Sequence, residues 1–270
     1  MERNTAHTDR PSRGGGVDLT ALRREWEVLA PRWISEVREG TNSVREGMLD
    51  DLMLEACGDV TGMRVLDSGC GEGRFSRILA ARGAAYVLGV DLCEPMVAAA
   101  KELATGRDEY VVGDVQSLTF LADASFDLAI SYLNQCDLPD FAANTREVYR
   151  ILKGGSRFVV ANLHPMRSAP GQWQRGGAGE KLHVAVDHYF DEGPRRFTMM
   201  GMPLTNFHRT LSTYVNTFLG TGFTLERLIE PTVRPEVLSR YPDLDDELRV
   251  PNFIIYVLRK EGRRGVPVRS

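Results

Sequence analysis

A glycine-rich stretch behind an acidic residue is the part of this sequence best suited to bind a ligand. In VLDSGCGEG, residues 65–73, glycines stand at positions 69, 71 and 73, and Asp67 precedes them. A dinucleotide-binding loop spaces its glycines as GxGxxG and offers backbone amides to a pyrophosphate, whereas this loop reads GxGxG. A carboxylate at Asp67 repels phosphate at close range and attracts a cation. The loop therefore favours a positively charged ligand, unless Asp67 only shapes the turn through hydrogen bonds.

Two more acids follow the next apolar runs of the chain. Asp91 ends AYVLGVD, about 20 residues after the loop, where a carboxylate typically binds ribose hydroxyls. Asp114 follows YVVG, where its side chain can accept a hydrogen bond from an adenine amino group. A turn or a helix cap would explain one such acid, but acids at three successive strand ends are difficult to attribute to capping. S-adenosylmethionine, a nucleoside with a sulfonium, an ammonium group and no phosphate, fits this arrangement better than NAD or ATP.

Short apolar runs that alternate with helical stretches must position these residues. The runs read as buried parallel strands because they lack a clean polar alternation; they are 63–67, 85–91, 110–114, 126–132 and 157–163. Helical composition marks 74–82, 95–105 and 141–152, and Lys153-Gly154-Gly155 has the form of a helix stop. A helix at 208–219, a strand near 224–230 and an apolar run at 252–260 follow. Strands separated by such crossovers predict an α/β protein with a doubly wound sheet.

The remaining segments indicate one domain with additions. Residues 1–16 are polar and end in RGGG, which predicts a disordered tail, and 261–270 is expected to be a flexible tail. Between them, residues 17–260 read as a single domain. Two segments, 164–205 and 231–250, are longer than a compact connection needs, and insertions of this kind usually cover a site.

The domain begins with a helical segment at 17–58. Its apolar residues recur at the spacing of one helical face; they are Leu22, Trp26, Leu29, Trp33 and Val37. Pro31 lies among them and is expected to break or restart the helix. A second helical stretch runs from Val44 to Cys57 and is expected to end at Gly58.

Composition excludes several classes of protein. The chain has 270 residues, is 43% hydrophobic and carries a formal net charge of -4, so it lacks the basic surface of a nucleic-acid-binding protein. No apolar run approaches the roughly 20 residues of a membrane helix, and the first residues lack the apolar core of a signal peptide. We therefore expect a cytoplasmic protein. The cysteines, Cys57, Cys70, Cys93 and Cys136, form no CxxC pair, which predicts reduced thiols and no metal site.

Five stretches together resemble the ordered motifs of class I S-adenosylmethionine-dependent methyltransferases, of the ubiquinone-biosynthesis-like and small-molecule type: VLDSGCGEGRFSRILAARGA, VLGVDLCEPMVAAA, VVGDV, SFDLAISY and REVYRILKGGSRFVVANLHP. The resemblance is strong over residues 60 to 165 and looser up to 259. It implies a seven-stranded sheet with strand order 3-2-1-4-5-7-6 and an antiparallel last strand, with the N-terminal helical segment as a lid. Relatives that methylate adenine or amides have Asn/Asp-Pro-Pro-Tyr after strand four, where this chain has SYLNQCD, which disfavours DNA-base methylation.

The resemblance also implies a set of cofactor-binding residues. Asp67, Gly69 and Gly71 would face the methionine part, Asp91 the ribose, Leu92 and Met96 the adenine, Asp114 and Val115 the adenine edge, and Ser131 the strand-four end of the pocket, with Tyr132 beside it. In the lid, Arg38 would bind the cofactor carboxylate bidentately or be a surface charge. Trp33 and Trp26 would belong to the core or contact the cofactor.

Methyl transfer requires an aligned nucleophile and, for some acceptors, a base that removes its proton. His164, in NLHP directly after strand five, and His208, after the first insertion, are the candidate catalytic histidines. Tyr189, with His188, lies in the insertion and is a candidate substrate contact. Each has a structural alternative: His164 ties down the insertion, His208 is a polar residue near a helix start, and Tyr189 packs within a hairpin.

The sequence thus predicts an enzyme that transfers the methyl group of S-adenosylmethionine to an O, N or C atom of a small-molecule acceptor and releases S-adenosylhomocysteine. The alternatives are an S-adenosylmethionine enzyme that transfers or cyclises the aminocarboxypropyl arm and releases methylthioadenosine, and a binding module without turnover. A small-molecule acceptor is the expected partner, rather than nucleic acid or a membrane. The sequence leaves open the identity of the acceptor and whether the chain forms a homodimer.

Overall fold

The computed structural model describes residues 18–40, 43–169 and 171–262, so the predicted tail at 1–16 and most of that at 261–270 lie outside the described residues. The strands are β1 (Arg64–Ser68), β2 (Tyr86–Asp91), β3 (Asp108–Val112), β4 (Phe126–Tyr132), β5 (Leu152–Leu163), β6 (Gly171–Arg175), β7 (Lys181–Val186), β8 (Gly193–Met199), β9 (Met202–His208), β10 (Phe223–Ile229) and β11 (Phe253–Lys260). The helices are α1 (Leu19–Arg38), α2 (Asp50–Cys57), α3 (Arg74–Ala81), α4 (Glu94–Glu102), α5 (Phe141–Ile151), α6 (Pro165–Ser168), α7 (Leu211–Thr221) and α8 (Pro235–Arg240).

Within these described residues, a seven-stranded sheet with the order β10-β11-β5-β4-β1-β2-β3 forms the centre of the fold. Strand β11 is antiparallel to both of its neighbours, β5 and β10, whereas β1 is parallel to β2 and β4. The predicted α/β fold, its strand order and its antiparallel last strand are therefore confirmed. Because β1 to β5 run in one direction, their carboxyl ends meet at one edge of the sheet.

Both faces of the sheet are covered, which explains why its strands read as continuous apolar runs. Alternate residues of each strand enter opposite layers: Val65 and Val159 pack into one hydrophobic core, and Leu66 and Val160 pack into the other. A strand that is buried on both faces offers few positions at which a polar side chain can reach water. The polar groups of the central strands are therefore concentrated at their ends.

The N-terminal segment differs from the prediction at Pro31. Helix α1 continues through this residue from Leu19 to Arg38, although proline removes one helical hydrogen bond and costs about 3 kcal/mol in a helix interior. Pro31 lies on the exposed face, where water can hydrate the carbonyl that loses its donor. Buried Leu29 and Ala30 precede it and buried Val37 follows it, so packing holds both halves of the helix in line.

The second helical stretch contains an irregular turn. Arg45–Leu49 forms a π-helical turn that leads directly into α2, which ends at Gly58 as predicted, with a positive φ of 74°. Strand β5 begins at Leu152 rather than Arg157, so Lys153-Gly154-Gly155 belongs to the strand and α5 already ends at Ile151.

The insertions form their own small elements. Between β5 and α7, the chain folds into α6 and the antiparallel hairpins β6–β7 and β8–β9. Helix α7 begins at Leu211 rather than at 208, because His208 still belongs to β9 and Thr210 caps the helix. Between β10 and β11 lie α8 and a 3-10 helix, Pro242–Leu248. In the part of the chain described, no helix has the length and apolarity needed to cross a membrane.

Candidate active site

A cavity opens at the edge of the sheet where the parallel strands end. It holds about 810 Å³ of empty space, including space open to solvent. The loop after β1 and the ends of β2, β3 and β4 form its floor, and α1 covers it with Leu19, Leu22, Arg23, Trp26 and Trp33. Such a position, beyond the carboxyl ends of the strands, is where open α/β sheets bind ligands.

Gly69 and Gly71 of the loop are needed for different structural reasons. Gly69 and Gly71 both adopt positive φ angles, 81° and 55°. A Cβ atom at Gly69 would lie 2.2 Å from Cγ of Asn134, so glycine is needed there for close packing. A Cβ atom at Gly71 would meet no atom within 4 Å. Since Gly71 lines the cavity, this open space is available to a ligand.

Asp91 fixes the loop and faces the cavity. Its Oδ2 accepts a hydrogen bond from the backbone N–H of Gly71 at 2.9 Å, and its Oδ1 accepts one from Cys93 N–H at 2.9 Å. Burial raises the pKa of Asp91, and these backbone hydrogen bonds oppose the rise. Each carboxylate oxygen can accept a further hydrogen bond, so Asp91 can hold the loop and bind ligand hydroxyls at the same time.

The end of β3 contributes the next wall. Oδ1 of Asp114 accepts hydrogen bonds from the backbone and side-chain nitrogens of Gln116, at 2.9 and 3.0 Å. The neighbouring Val115 is held by Asn144, whose Nδ2 donates to the Val115 carbonyl at 2.7 Å. Asp114, Val115 and Gln116 line the cavity together with Leu92 and Met96, whereas Asn144 lies behind it. The result is a polar edge between apolar walls, which suits a heteroaromatic ring.

Arg45 is a cavity residue that the sequence analysis missed. Its guanidinium carbon lies 5.0 Å from the ring centroids of both Trp33 and Tyr132, which also line the cavity. The hydroxyl of Tyr132 donates to Oδ1 of Asp50 at 2.8 Å, and Asp50 also pairs with Arg74. Arg45 therefore brings a cation to the end of the cavity nearest β4, where it can bind a ligand carboxylate.

Arg38, which the sequence analysis gave as the candidate to bind the cofactor carboxylate, lies outside the cavity lining. Its Nη2 donates to the carbonyl of Ala99 at 2.9 Å and to Oε2 of Glu102 at 3.0 Å. These contacts fasten α1 to α4. The side chain of Arg38 faces α4 and is engaged there, which favours the alternative of a surface charge, while the contact with the cofactor carboxylate stays a prediction.

Asp67 and Ser131 lie beneath the floor of the cavity rather than in its lining. Asp67 is 1% exposed, and its Oδ2 accepts a hydrogen bond from Ser76 Oγ at 2.6 Å. Its Oδ1 has no hydrogen-bond partner among the described residues, and burial raises the pKa of Asp67 to about 7. The hydroxyl of Ser131 accepts from Nε2 of Gln135 at 3.2 Å. Both side chains support the floor in this structure, and the direct cofactor contacts expected for them stay predictions.

His164 holds the start of the first insertion. Its Nδ1 accepts a hydrogen bond from the backbone N–H of Met166 at 3.1 Å, which caps α6. Its Nε2 lies 3.2 Å from Oε1 of Glu230. Burial lowers the pKa of His164, against the opposing effect of Glu230. Both ring nitrogens are engaged away from the cavity, which favours the structural alternative, while a catalytic role of His164 stays a prediction.

His208 and Tyr189 connect parts of the same insertion. Nδ1 of His208 lies 2.7 Å from Ser168 Oγ, and its Nε2 lies 2.8 Å from the carbonyl of Tyr189. The hydroxyl of Tyr189 accepts a hydrogen bond from the backbone N–H of Leu211 at 3.0 Å. Neither side chain lines the cavity, which favours their structural alternatives, while catalysis by His208 and a substrate contact of Tyr189 stay predictions. His188 is half-exposed beside Asp191.

The segment after β4 supplies a further wall of the cavity. It turns through a 3-10 helix, Gln135–Asp137, and places Asn134, Asp137 and Leu138 on the cavity. No side chain from either insertion lines the cavity among the residues described. Nor does any group of three or more His, Cys, Asp or Glu residues form a metal site in the described ranges.

Known proteins resemble this chain in sequence and in structure. A family model described as a methyltransferase domain matches residues 66–160. A solved S-adenosylmethionine-dependent methyltransferase from Mesorhizobium loti has a TM-score of 0.71 and 33% sequence identity, covering 77% of this chain and 96% of that chain. A malonyl-[acyl-carrier protein] O-methyltransferase of Erwinia billingiae is 38% identical over 153 residues, which are 56% of this chain and 58% of the relative. Cycloartenol-C-24-methyltransferase 1 of Oryza sativa subsp. japonica is 32% identical over 139 residues, 49% of this chain and 38% of the relative.

Proposed function

The chain belongs to the class I S-adenosylmethionine-dependent methyltransferases, and from this premise we propose that it transfers the methyl group to an O, N or C atom of a small-molecule acceptor. One observation carries the proposal. The glycine loop after β1, Asp91 at the end of β2, and Asp114 with Val115 after β3 line one cavity.

The residues of the cavity fit S-adenosylmethionine. The space above Gly71 is open to at least 4 Å from a built Cβ atom, which leaves room for the methionine part. Asp91 can accept hydrogen bonds from the ribose hydroxyls, and the polar edge at Asp114 suits the adenine ring between Leu92 and Val115. The guanidinium of Arg45, framed by Trp33 and Tyr132, suits the carboxylate. These assignments support the proposal through charge and shape.

In this arrangement, the chain mainly binds and orients. S-adenosylmethionine supplies a methyl carbon that its sulfonium has already activated. Asp91 would hold the ribose and Arg45 the carboxylate of the amino-acid arm, and the sulfonium between these two groups would then have a fixed orientation. Leu22 and Trp26 of α1 cover the cavity and exclude water from the reacting atoms.

The acceptor would meet α1 and the segment after β4, because these line the cavity outside the nucleoside positions. The sequence analysis instead expected the insertions to cover the site, and none of their described side chains lines the cavity. The relatives act on malonyl-[acyl-carrier protein] and on cycloartenol, as their names state, so acceptors in this family range from a carboxylate to a sterol carbon. The segments matched to this chain cover 58% and 38% of the lengths of these relatives.

Two measurements test the proposal. Calorimetric titration with S-adenosylhomocysteine, NAD and ATP should show binding of the first compound alone, because the acidic strand ends disfavour phosphates. Incubation with methyl-labelled S-adenosylmethionine and an acceptor panel should then yield labelled product and S-adenosylhomocysteine. Binding of NAD or ATP in preference to S-adenosylhomocysteine would contradict the cofactor assignment, and release of methylthioadenosine would contradict methyl transfer.

A further inference from the structure

Asp137 is a carboxyl group of the cavity that binding of the nucleoside leaves unexplained. It ends the 3-10 helix Gln135–Asp137, next to β4, and lines the same space as Gly71 and Asp91. The inference below rests on the proposed function, because it concerns the acceptor in that cavity.

The backbone around Asp137 is held rigidly. Arg209, which follows β9 and is 7% exposed, donates from Nη2 to the carbonyls of Leu138 and Pro139 at 2.6 and 2.9 Å, and from Nη1 to the carbonyl of Gln135 at 3.4 Å. The backbone N–H of Asp137 donates to the carbonyl of Asn134 at 2.9 Å. These hydrogen bonds hold the backbone before and after Asp137, and they therefore fix the position from which its carboxyl group extends. A group that must meet a reacting atom needs such preorganisation.

The other carboxylates of the described lining are already engaged by donors. Asp91 accepts two backbone N–H groups, and Asp114 accepts two nitrogens of Gln116. Asp137 accepts only the weak contact from Cys136 Sγ, 3.7 Å from its Oδ1, within the described chain. Its remaining lone pairs are therefore available to a molecule in the cavity. No histidine lines the cavity in the described ranges, so Asp137 is the best-placed proton acceptor.

The charges that face Asp137 come from several elements. Arg195 of β8 and Arg209 lower its pKa, and Asp91 at the end of β2 raises it. Burial has the largest effect and raises the pKa of Asp137 to about 7, with the Cys136 thiol beside it opposing the rise. A base works most efficiently when its pKa lies near the working pH, so this environment suits proton transfer.

We propose that Asp137 accepts the proton of the acceptor, and that the acceptor nucleophile is therefore a neutral O–H or N–H group rather than a carboxylate. The acceptor oxygen or nitrogen forms a bond to the methyl carbon while the carbon–sulfur bond breaks, and its electron pair passes to sulfur. The proton of the acceptor moves to the Asp137 carboxylate. The products are the methylated acceptor, neutral S-adenosylhomocysteine and a protonated Asp137, which returns its proton to water after release.

The cations of the cavity support the same acceptor class. Arg45 is assigned to the carboxylate of the cofactor, and Arg23 pairs with Glu27 at 2.7 Å and with Glu94 at 3.4 Å. Among the described lining residues these are the only guanidinium or ammonium groups. A carboxylate acceptor that approaches Asp137 would therefore find no unassigned lining cation to neutralise its charge. Two like charges in a buried site repel each other strongly.

The first test compares acceptors and variants in methyl-transfer assays of the full chain. The panel consists of matched sets that differ in the nucleophile: phenol, aniline and benzoate; octanol and octanoate; and a malonyl thioester, which is a carboxylate and should not be methylated. Hydroxyl or amine members should be methylated and their matched carboxylates should not. Asp137→Asn should lower turnover at least about 100-fold, with the Kd for S-adenosylhomocysteine changed less than threefold. Asp140→Asn is the matched control, because exposed Asp140 caps α5 and forms an exposed ion pair with Arg146 at 3.8 Å. Asparagine caps equally well, and an exposed ion pair contributes little to stability.

The second test needs no acceptor. In the S-adenosylhomocysteine complex, the infrared difference between wild type and Asp137→Asn should contain the carbonyl band of a protonated carboxylic acid that titrates near pH 7. Methylation of carboxylates as fast as of matched hydroxyls, equal turnover of the Asp137→Asn and Asp140→Asn variants, or an Asp137 that stays ionised down to pH 5 would each overturn the proposal. Failure of S-adenosylhomocysteine to bind wild type would instead contradict the proposed function.

Discussion

Replacing Gly71 by alanine tests whether the open space above the glycine loop belongs to the ligand. Gly71 has a φ of 55°, and a Cβ atom built there meets no protein atom within 4 Å. The added methyl group would therefore clash with nothing in the protein itself. It would, however, occupy space that we assign to the methionine part of S-adenosylmethionine.

The expected effect has two parts. A left-handed conformation costs a non-glycine residue about 1 to 2 kcal/mol, and the free energy of unfolding should fall by that amount. Gly62 gives a matched control, because its φ is 74°, a Cβ atom there also meets nothing within 4 Å, and it lies before β1 at the opposite edge of the sheet. Gly62→Ala should lose similar stability. Only Gly71→Ala should weaken binding of S-adenosylhomocysteine, by at least tenfold or about 1.4 kcal/mol.

Urea denaturation of both variants measures the first part, and calorimetric titration with S-adenosylhomocysteine measures the second. The comparison cancels the backbone strain, since both alanines adopt the same region of φ. If Gly71→Ala binds S-adenosylhomocysteine as tightly as Gly62→Ala does, the ligand does not use the space above Gly71. The position of the methionine part would then have to be reassigned.

Further predictions concern Arg45 and a buried acid in the second insertion. Arg45→Met should weaken S-adenosylhomocysteine binding at least tenfold but leave adenosine binding unchanged, because adenosine lacks the carboxylate. The control variant Arg38→Met should change the affinity for either ligand by no more than twofold. Equal losses of affinity in the two variants would contradict the assignment of Arg45. Glu247, 7% exposed, has its pKa raised by burial from 4.5 to about 7. A carboxyl group that binds its proton more tightly in the folded state stabilises the protein at low pH and loses this stabilisation between pH 4.5 and 7, on the order of 3 kcal/mol. Urea denaturation should therefore find Glu247→Gln more stable than wild type at pH 8 and no more stable at pH 4, and parallel pH profiles would refute this reasoning.

Local patterns were sufficient to predict the sheet and the floor of the cavity. Strand β4 has the predicted bounds, 126–132, because residues buried on both faces produce an unbroken apolar run. The residues Gly71, Asp91 and Asp114 lie far apart in sequence. They could be placed together because parallel strands that alternate with helices end at the same edge.

The side chains above that floor depend on tertiary packing that no local pattern carries. Arg38 and Arg45 belong to the same helical segment, and nothing in their spacing tells which one reaches the cavity. Arg45 reaches the cavity because the π-helical turn Arg45–Leu49 places its side chain between the rings of Trp33 and Tyr132. His164 comes directly after β5 and His208 after the first insertion, which suggested catalysis. The ring of His164 contacts Met166 of α6 and Glu230, and the ring of His208 contacts Ser168 of α6 and the carbonyl of Tyr189. The sequence did not predict these contacts.

Glu25 links the cover of the cavity to the first insertion. Its Oε2 accepts a hydrogen bond from the backbone N–H of Thr205 in β9 at 2.7 Å, and its Oε1 pairs with Arg196 of β8. Helix α1 carries Glu25 together with Leu22 and Trp26, which close the cavity. A displacement of this helix large enough to admit a nucleoside must either break these bonds or carry the β8–β9 hairpin with it. Any entry route that displaces α1 therefore couples cofactor binding to the position of a hairpin outside the binding site.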